Sequence, residues 1–292
     1  MGRDEIARRL LSAAPGAGSR LADNLLPAVR YATRPEPDAA IDVGQSKFGG
    51  AADLPVGTPW PSWTKPDGQR RTLQFFAQLD LAEAAAAAPA DLGLRTEGQL
   101  SFFADFGVDD DGILGLYPWE REGSTVLYSP PDVQLARCSL RMAPLCSAQL
   151  LPLSAWTWPT PSIAGVEVTD AEYETLDALD QELHAGLGAA LPEHWNVTGR
   201  HQLGGHARYI QHPVEEEVVQ AVAGCFTGGG FDSAAWERSR PAVREWRMVL
   251  QLDSDDTLEA MWGDVGTIWW AARYDDIAAR RWDAGMFNFQ CS

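Results

Sequence analysis

Apolar residues fall into short blocks along this chain, and the spacing inside each block changes from one region to the next. Near the start, Ile6, Leu10 and Leu11, then Leu21, Leu25, Leu26 and Val29, recur at helical intervals. Residues 4–33 are therefore expected to be helical, broken at Pro15-Gly16 and kinked or shortened at Pro27. Over 73–81 the pattern becomes an almost unbroken apolar run, as in a strand buried on both faces. Asp80 then stands where a helix N-cap belongs, before an Ala-rich stretch ended by Pro89. Further strands are expected at 100–106, 113–117 and 125–128, with turns at Asp111-Gly112 and Glu122-Gly123. The clearest helix follows Thr169, which forms a capping box with Glu172. Tyr173, Leu176, Leu179 and Leu183 make its inner stripe, and Asp170, Glu174, Asp177, Asp180 and Glu182 an acidic outer face. Another helix begins at Pro213, with Glu215, Glu216 and Glu217 in its first turn, and ends at Gly224. Gly228-Gly229-Gly230 reads as a turn. Strands then return at 244–252, with Trp246, Met248 and Leu250 on one side, and at 258–262, 267–272 and 286–290. A helical turn is expected at Asp275-Asp276-Ile277.

Two segments break the pattern. Residues 47–66 carry Gly49, Gly50, Pro55, Gly57, Pro59, Pro61 and Pro66 around Trp60 and Trp63, and residues 152–165 carry Pro152, Trp156, Trp158, Pro159 and Pro161. Neither suits a regular helix. Between and beyond them one order occurs twice. Gly49-Gly50 precedes Gln78-Leu79-Asp80 and Gly98-Gln99-Leu100-Ser101-Phe102-Phe103. Gly204-Gly205 precedes Gln251-Leu252-Asp253 and Gly266-Thr267-Ile268-Trp269-Trp270. The expectation is an internally duplicated α+β protein with mixed, mainly antiparallel sheets and peripheral helices. Its divisions are an N-terminal helical segment (1–46), a first half (47–160) and a second half (161–292), folded as one compact unit.

Composition narrows the function classes. Among the 292 residues 45% are hydrophobic and 12 are Trp, ample for a large core and unlike a disordered chain. No apolar run is long enough to span a membrane, and the mixed-charge start lacks a signal-peptide h-region. A formal net charge of −18 repels nucleic acid and anionic membranes, and suits solubility or a basic protein partner. Ala, Gly, Pro and Arg outweigh Lys, which points to a GC-rich bacterial genome. Cys138, Cys146, Cys225 and Cys291 form no CxxC pair and no zinc spacing, so reduced thiols in a cytoplasmic protein are expected.

The candidate chemistry is sparse. The Gly-Gly pairs lack phosphate-loop context and fit turns needing positive φ or close backbone approach. Asp105, Asp109, Asp110 and Asp111 fail the calcium-loop pattern. Asp253, Asp255, Asp256, Glu259 and Asp264 form an acidic cluster around Trp262-Gly263-Asp264. Asp253 and Asp264 with His206 are the catalytic candidates, and Asp253, Asp255 and Asp264 the metal alternative. Because Asp253 matches Asp80 in the repeat, it also fits a cap. His201, His206 and His212 do not share one strand face. Phe75-Phe76, Phe102-Phe103 and Trp269-Trp270 each place one ring on either side of a sheet. Trp60, Trp63, Trp156, Trp158 and Trp262 are the ligand- or partner-binding candidates, with coverage of sheet edges as the alternative. No cofactor is implied.

Taken in order, Lys47-Phe48-Gly49-Gly50 with Pro55 and Trp60-Pro61, Phe76 to Asp80, Gly98 to Phe103, His201 to Gly205, Leu250 to Asp253, Met261-Trp262-Gly263-Asp264 and Gln290-Cys291 resemble the bacterial YwqG-like family. The resemblance covers residues 47–292 and departs over 105–165. It implies a compact, internally duplicated α+β fold. It implies no activity and brings no catalytic residues. The functional expectation is a non-enzymatic, cytoplasmic module that binds a protein or a small ligand. The alternative is a metal-dependent or acid–base hydrolase built on the Asp253 to Asp264 segment.

Overall fold

Two ten-residue strands, Leu26–Pro35 and Ala148–Thr157, lie side by side at the middle of the main sheet, and both come from regions without a strand pattern. The computed structural model describes residues 1–106, 123–138, 145–189, 191–227 and 230–292. In chain order these form α1 (Arg3–Ala13), α2 (Gly18–Asp23), β1 (Leu26–Pro35), β2 (Lys47–Phe48), β3 (Asp53–Pro55), β4 (Ser62–Thr64), β5 (Arg70–Thr72), β6 (Gln74–Asp80), α3 (Leu81–Ala87), β7 (Gln99–Ala104), β8 (Ser124–Ser129), β9 (Leu135–Arg137), β10 (Ala148–Thr157), α4 (Pro161–Ala164), α5 (Asp170–Gly188), β11 (Gln202–Gly204), α6 (Val214–Val222), β12 (Phe226–Thr227), β13 (Gly230–Phe231), α7 (Ser233–Ser239), β14 (Trp246–Asp253), β15 (Thr267–Arg273), α8 (Tyr274–Ala278) and β16 (Met286–Gln290). The fold is α+β. One 10-stranded antiparallel sheet runs β16-β15-β14-β11-β1-β10-β2-β6-β7-β8, with three two-stranded sheets beside it. The strand expected at 113–117, the turn at Asp111-Gly112, Glu122, the Asp109–Asp111 calcium-loop comparison and Gly228-Gly229 lie outside the described residues.

The helical expectation for 4–33 holds only to Asp23. From Ala28 to Thr33 every residue is buried, which a strand between two neighbours satisfies and an amphipathic helix does not. Leu11, grouped with Ile6 and Leu10, points outward at 45% exposure. The 152–165 segment, read as a join between halves, begins inside β10. Pro152 is tolerated there because β2 pairs only with Ala148 and Gln149, so the strand beyond has one partner and its missing N–H breaks no second ladder. Residues 258–262 form no strand. Asp255 accepts from Thr257 N and caps a 3₁₀ turn over Asp256–Leu258, which Glu259 leaves at φ 50°.

β6 and β14 each carry a bulge, between Phe75 and Ala77 and between Met248 and Leu250. The second corrects the single face expected for Trp246, Met248 and Leu250. Trp246 and Met248 pack under α6 with Val214 and Val218, whereas Leu250 joins Leu252 in the main core. Bulges bend strands, and the sheet curls until its two ends meet. The rings of Phe102 in β7 and Trp270 in β15 are 5.3 Å apart, although their strands stand far apart in the sheet order. Trp269 packs instead in the α6 cluster, so that pair does split across the sheet. On the outer face of β10, α1, α2 and α5 bury Ile6, Leu10, Leu21, Leu176 and Leu179 against Trp156 and Trp158.

Candidate functional site

The two Gly-Gly pairs end equivalent strands. Lys47 and Phe48 of β2 stand opposite Gln78 and Ala77 of β6, and Gln202 and Leu203 of β11 opposite Gln251 and Leu250 of β14. Gly49, Gly50, Gly204 and Gly205 all take positive φ, at 60°, 69°, 67° and 75°. A Cβ on Gly50 would strike the Asp38 carboxylate, and one on Gly205 would strike Thr157 Oγ1 and Ala28. Two bonds match in the loops that follow. Asp53 N donates to Gln78 Oε1 at 2.8 Å, and Arg208 N to Gln251 Oε1 at 3.0 Å. Lys47 Nζ donates to Ala51 O, and Gln202 Nε2 to His206 O. Position 51 thus corresponds to 206 and position 53 to 208. On the neighbouring strand, Gln149 lies opposite Lys47 and Arg30 opposite Gln202.

In the first half this place is full. Lys47 is wholly buried, bonded to Asp38 at 2.8 Å and 3.9 Å from Asp53. Asp53, also wholly buried, accepts from Arg137 Nε at 2.8 Å, Gly44 N at 3.0 Å and Gln78 Nε2 at 2.6 Å. Burial alone would raise the Asp53 carboxyl, but Arg137, Gly44 and Lys47 outweigh it and hold it below the usual carboxylate range.

In the second half the same place is open. Ala51 is replaced by His206, Asp53 by Arg208 and Gln149 by Arg30. Between these residues and α5 lies a cleft of about 110 Å³, walled by Trp158, Tyr173, Leu176, Asp177 and Asp180. A smaller cavity of about 50 Å³, which shares Arg30, Trp158 and Asp180, continues under Trp156 and His184. Asp180 pairs with Arg200 and Arg208, and Asp177 with Arg208. Burial would raise the Asp180 carboxyl, but Arg200, Arg30 and Arg208 outweigh it and keep it ionised. His206 Nε2 donates to Asn24 O at 2.8 Å. Burial first brings both His184 and His206 down to about 4, and neighbouring cations add to the effect (Arg30 and Arg200 for His184, Arg247 for His206). Both rings are therefore neutral at pH 7.

These histidines set a pH dependence. Their folded pKa lies below the unfolded value of about 6.5, so the unfolded chain binds more protons between the two. The unfolding midpoint should fall as pH drops from about 6.5 to about 4, and the H184Q/H206Q double variant should flatten that slope. Thermal melts across this range measure it. An unchanged slope in the double variant would remove the histidines as its cause.

Of the residues singled out in the sequence, the structure brings Trp156, Trp158 and His206 to these cavities. Trp60 donates to Leu73 O at 2.8 Å and stands edge-on to Phe103, Trp63 lies in β4 and donates to Asp105 at 2.8 Å, and Trp262 packs on Phe76 in the core. The carboxylates diverge. Asp253 accepts from Arg200 N, Gln251 Nε2 and Thr267 Oγ1, each at 3.0 Å. It does not cap the following turn as Asp80 caps α3, because Asp255 does so. Asp255 is bonded to buried His201 at 3.1 Å, and Asp264 is exposed. Among the described residues no three His, Cys, Asp or Glu side chains group as metal ligands. On α5 the expected faces are partly reversed: Tyr173 is 55% exposed, while Asp177 and Asp180 turn toward the sheet. Arg30, His184, Arg200 and Arg208 were not anticipated. The available signal was Asp177, Asp180 and His184, spaced three and four apart beside Leu176, Leu179 and Leu183, a polar stripe bordering the apolar one.

Comparison with family models matches residues 46–291 to a "Domain of unknown function (DUF1963)", and the chain belongs to that family. No curated protein matches it. Arg30 and the rest of β1 lie ahead of the matched span, so the cleft is built jointly by the family domain and the segment before it.

Proposed function

We propose that this member of the domain-of-unknown-function family is a non-enzymatic ligand-binding module, with its site in the cleft between α5 and the Arg30, His206 and Arg208 side chains. The observation that carries this reading is the contrast between equivalent places. The first half closes its place with Lys47, Asp53 and Arg137, while the second half keeps the backbone bonds and leaves room. A gene duplication giving halves 47–160 and 161–292, completed by 1–46, accounts for the matching registers and paired bulges. The ordered motifs support placement in the YwqG-like branch, and the composition supports a bacterial, cytoplasmic protein. A basic protein partner has only the −18 charge in its favour, because Trp60, Trp63 and Trp262 are engaged with the core. The hydrolase alternative has less support, since Asp253 and Asp255 are bonded to separate partners and Asp264 is exposed.

A thermal-shift screen of small metabolites tests the reading. At least one compound should raise the melting temperature, and Tyr173→Ala, at the exposed mouth, should weaken its binding roughly tenfold, about 1.4 kcal/mol. A shift that Tyr173→Ala leaves untouched would put the ligand elsewhere. A screen with no stabilising compound would count against a ligand site altogether.

A further inference from the structure

We propose that the cleft takes a small monocarboxylate, whose carboxylate is received by the Arg30 guanidinium. This rests on the cleft being the ligand site and names the ligand class.

Arg30 is 7% exposed and lines both cavities. A guanidinium carries five N–H donors in a planar fork. Among the described residues Nε has no partner, Nη2 stands 3.9 Å from Asp180 Oδ1, beyond hydrogen-bond reach, and Nη1 meets only His184 Nδ1 at 3.4 Å. Two other buried cations each hold a close acceptor, although Arg247 Nε is likewise without a partner among the described residues. Lys47 is closed in by Asp38, Asp53 and Ala51 O, and Arg247 donates to Leu92 O at 2.8 Å and stacks on Tyr274. Buried charged donors without acceptors are costly, and the fork of Arg30 borders open space.

The groups facing Arg30 explain why nothing in the chain fills that space. Asp180 Oδ2 is held by Arg200 and Arg208, its Oδ1 stays 3.9 Å from Arg30, and Asp177 is held by Arg208 and Gln181. His184 is neutral. Asp253 acts on Arg30 only through its longer-range field, because its oxygens are bonded to Arg200 N, Gln251 and Thr267. Burial lowers the Arg30 guanidinium to about 10, so it remains charged at pH 7. A carboxylate matches the fork with two parallel hydrogen bonds. Asp177 and Asp180 on the wall penalise a second negative charge, which favours a monoanion over phosphate. Trp158 and Leu176 supply an apolar wall for the ligand's body.

The test uses the full chain with benzoate, its neutral isostere benzamide, and inorganic phosphate. Benzoate should bind at least roughly tenfold tighter than benzamide or phosphate, and should shift the Arg30 Nε–H resonance in ¹H–¹⁵N spectra. Arg30→Gln should remove the benzoate preference, bringing benzoate affinity down to that of benzamide. If Arg30→Gln does not fold, Arg30→Lys, which keeps the charge and loses the fork, should lower benzoate affinity and assigns the resonance. Benzamide binding as well as benzoate, with both weakened by Tyr173→Ala, would overturn the carboxylate assignment and keep the cleft as a ligand site. Phosphate binding tighter than benzoate would overturn it in favour of an inorganic anion. No benzoate binding at millimolar concentration, or binding that leaves Nε–H unmoved, would overturn it as well. The metabolite screen then decides separately whether the cleft binds any ligand.

Discussion

Asp53→Ala is expected to lower the unfolding free energy by about 3–5 kcal/mol, the cost of removing one member of a buried ion-pair network. Asp53 and Lys47 are both fully buried, and the carboxylate also serves Arg137, Gly44 N and Gln78. Truncation strands a buried ammonium, with Asp38 as its remaining carboxylate among the described residues, and leaves Arg137 Nε, Gly44 N and Gln78 Nε2 each short of an acceptor. The equivalent change in the second half, Arg208→Ala, should cost only about 0–1 kcal/mol, because that side chain is 41% exposed and pairs near the surface. Urea unfolding of both variants beside wild type measures the contrast. Equal losses would mean that the two places carry the same structural duty, and the argument for an open, functional second place would fail.

Trp270→Ala is expected to cost about 3–5 kcal/mol through the cavity it leaves. The ring is 1% exposed and lies 5.5 Å from Phe76, 5.3 Å from Phe102 and 5.1 Å from Phe287, so it joins the two ends of the curled sheet. Its Nε1 has no partner among the described residues, so truncation strands no acceptor there and the loss reports packing. Such a loss is a large part of a typical 5–15 kcal/mol stability. Because the ring, in β15, packs on Phe76 and Phe102 of β6 and β7 as well as on Phe287 of β16, the variant should unfold in one transition at lower denaturant, with far-UV and near-UV signals coincident. Two separated transitions would show that the halves hold together through other contacts.

Much of the fold was legible where local chemistry is decisive. Asp80 and Thr169 cap the helices expected of them, and the apolar run at β6 is a fully buried strand. The Gly-Gly pairs sit at positive φ against close neighbours, as glycine at such places must. The misses share a cause. β1 and β10 carry Pro27 and Pro152 and look like breakers, and they become strands because each proline has a partner on one side only: β11 pairs from Ala28 onward and β2 pairs only with Ala148 and Gln149. The bulges in β6 and β14 switch side chains between faces, and no two-residue periodicity predicts where a strand will be bent. For the site, Trp156, Trp158 and His206 were picked out, but Trp60, Trp63 and Trp262 carry the same sequence signal and pack inward.

By itself, then, the sequence determined the α+β class, the repeated order, the helix caps and the glycine turns, because each depends on residues near one another in the chain. The repeated order also shows where its two copies differ, with Ala51 and Asp53 in one and His206 and Arg208 in the other. Only the tertiary structure decided what that difference means. Arg30, Asp180, Arg200 and Arg208 come from four separate segments, and their charges acquire meaning through burial and mutual distance, which no local pattern encodes. The same fold that saturates Lys47 leaves Arg30 short of acceptors, since α5 brings its two carboxylates to Arg200 and Arg208 first.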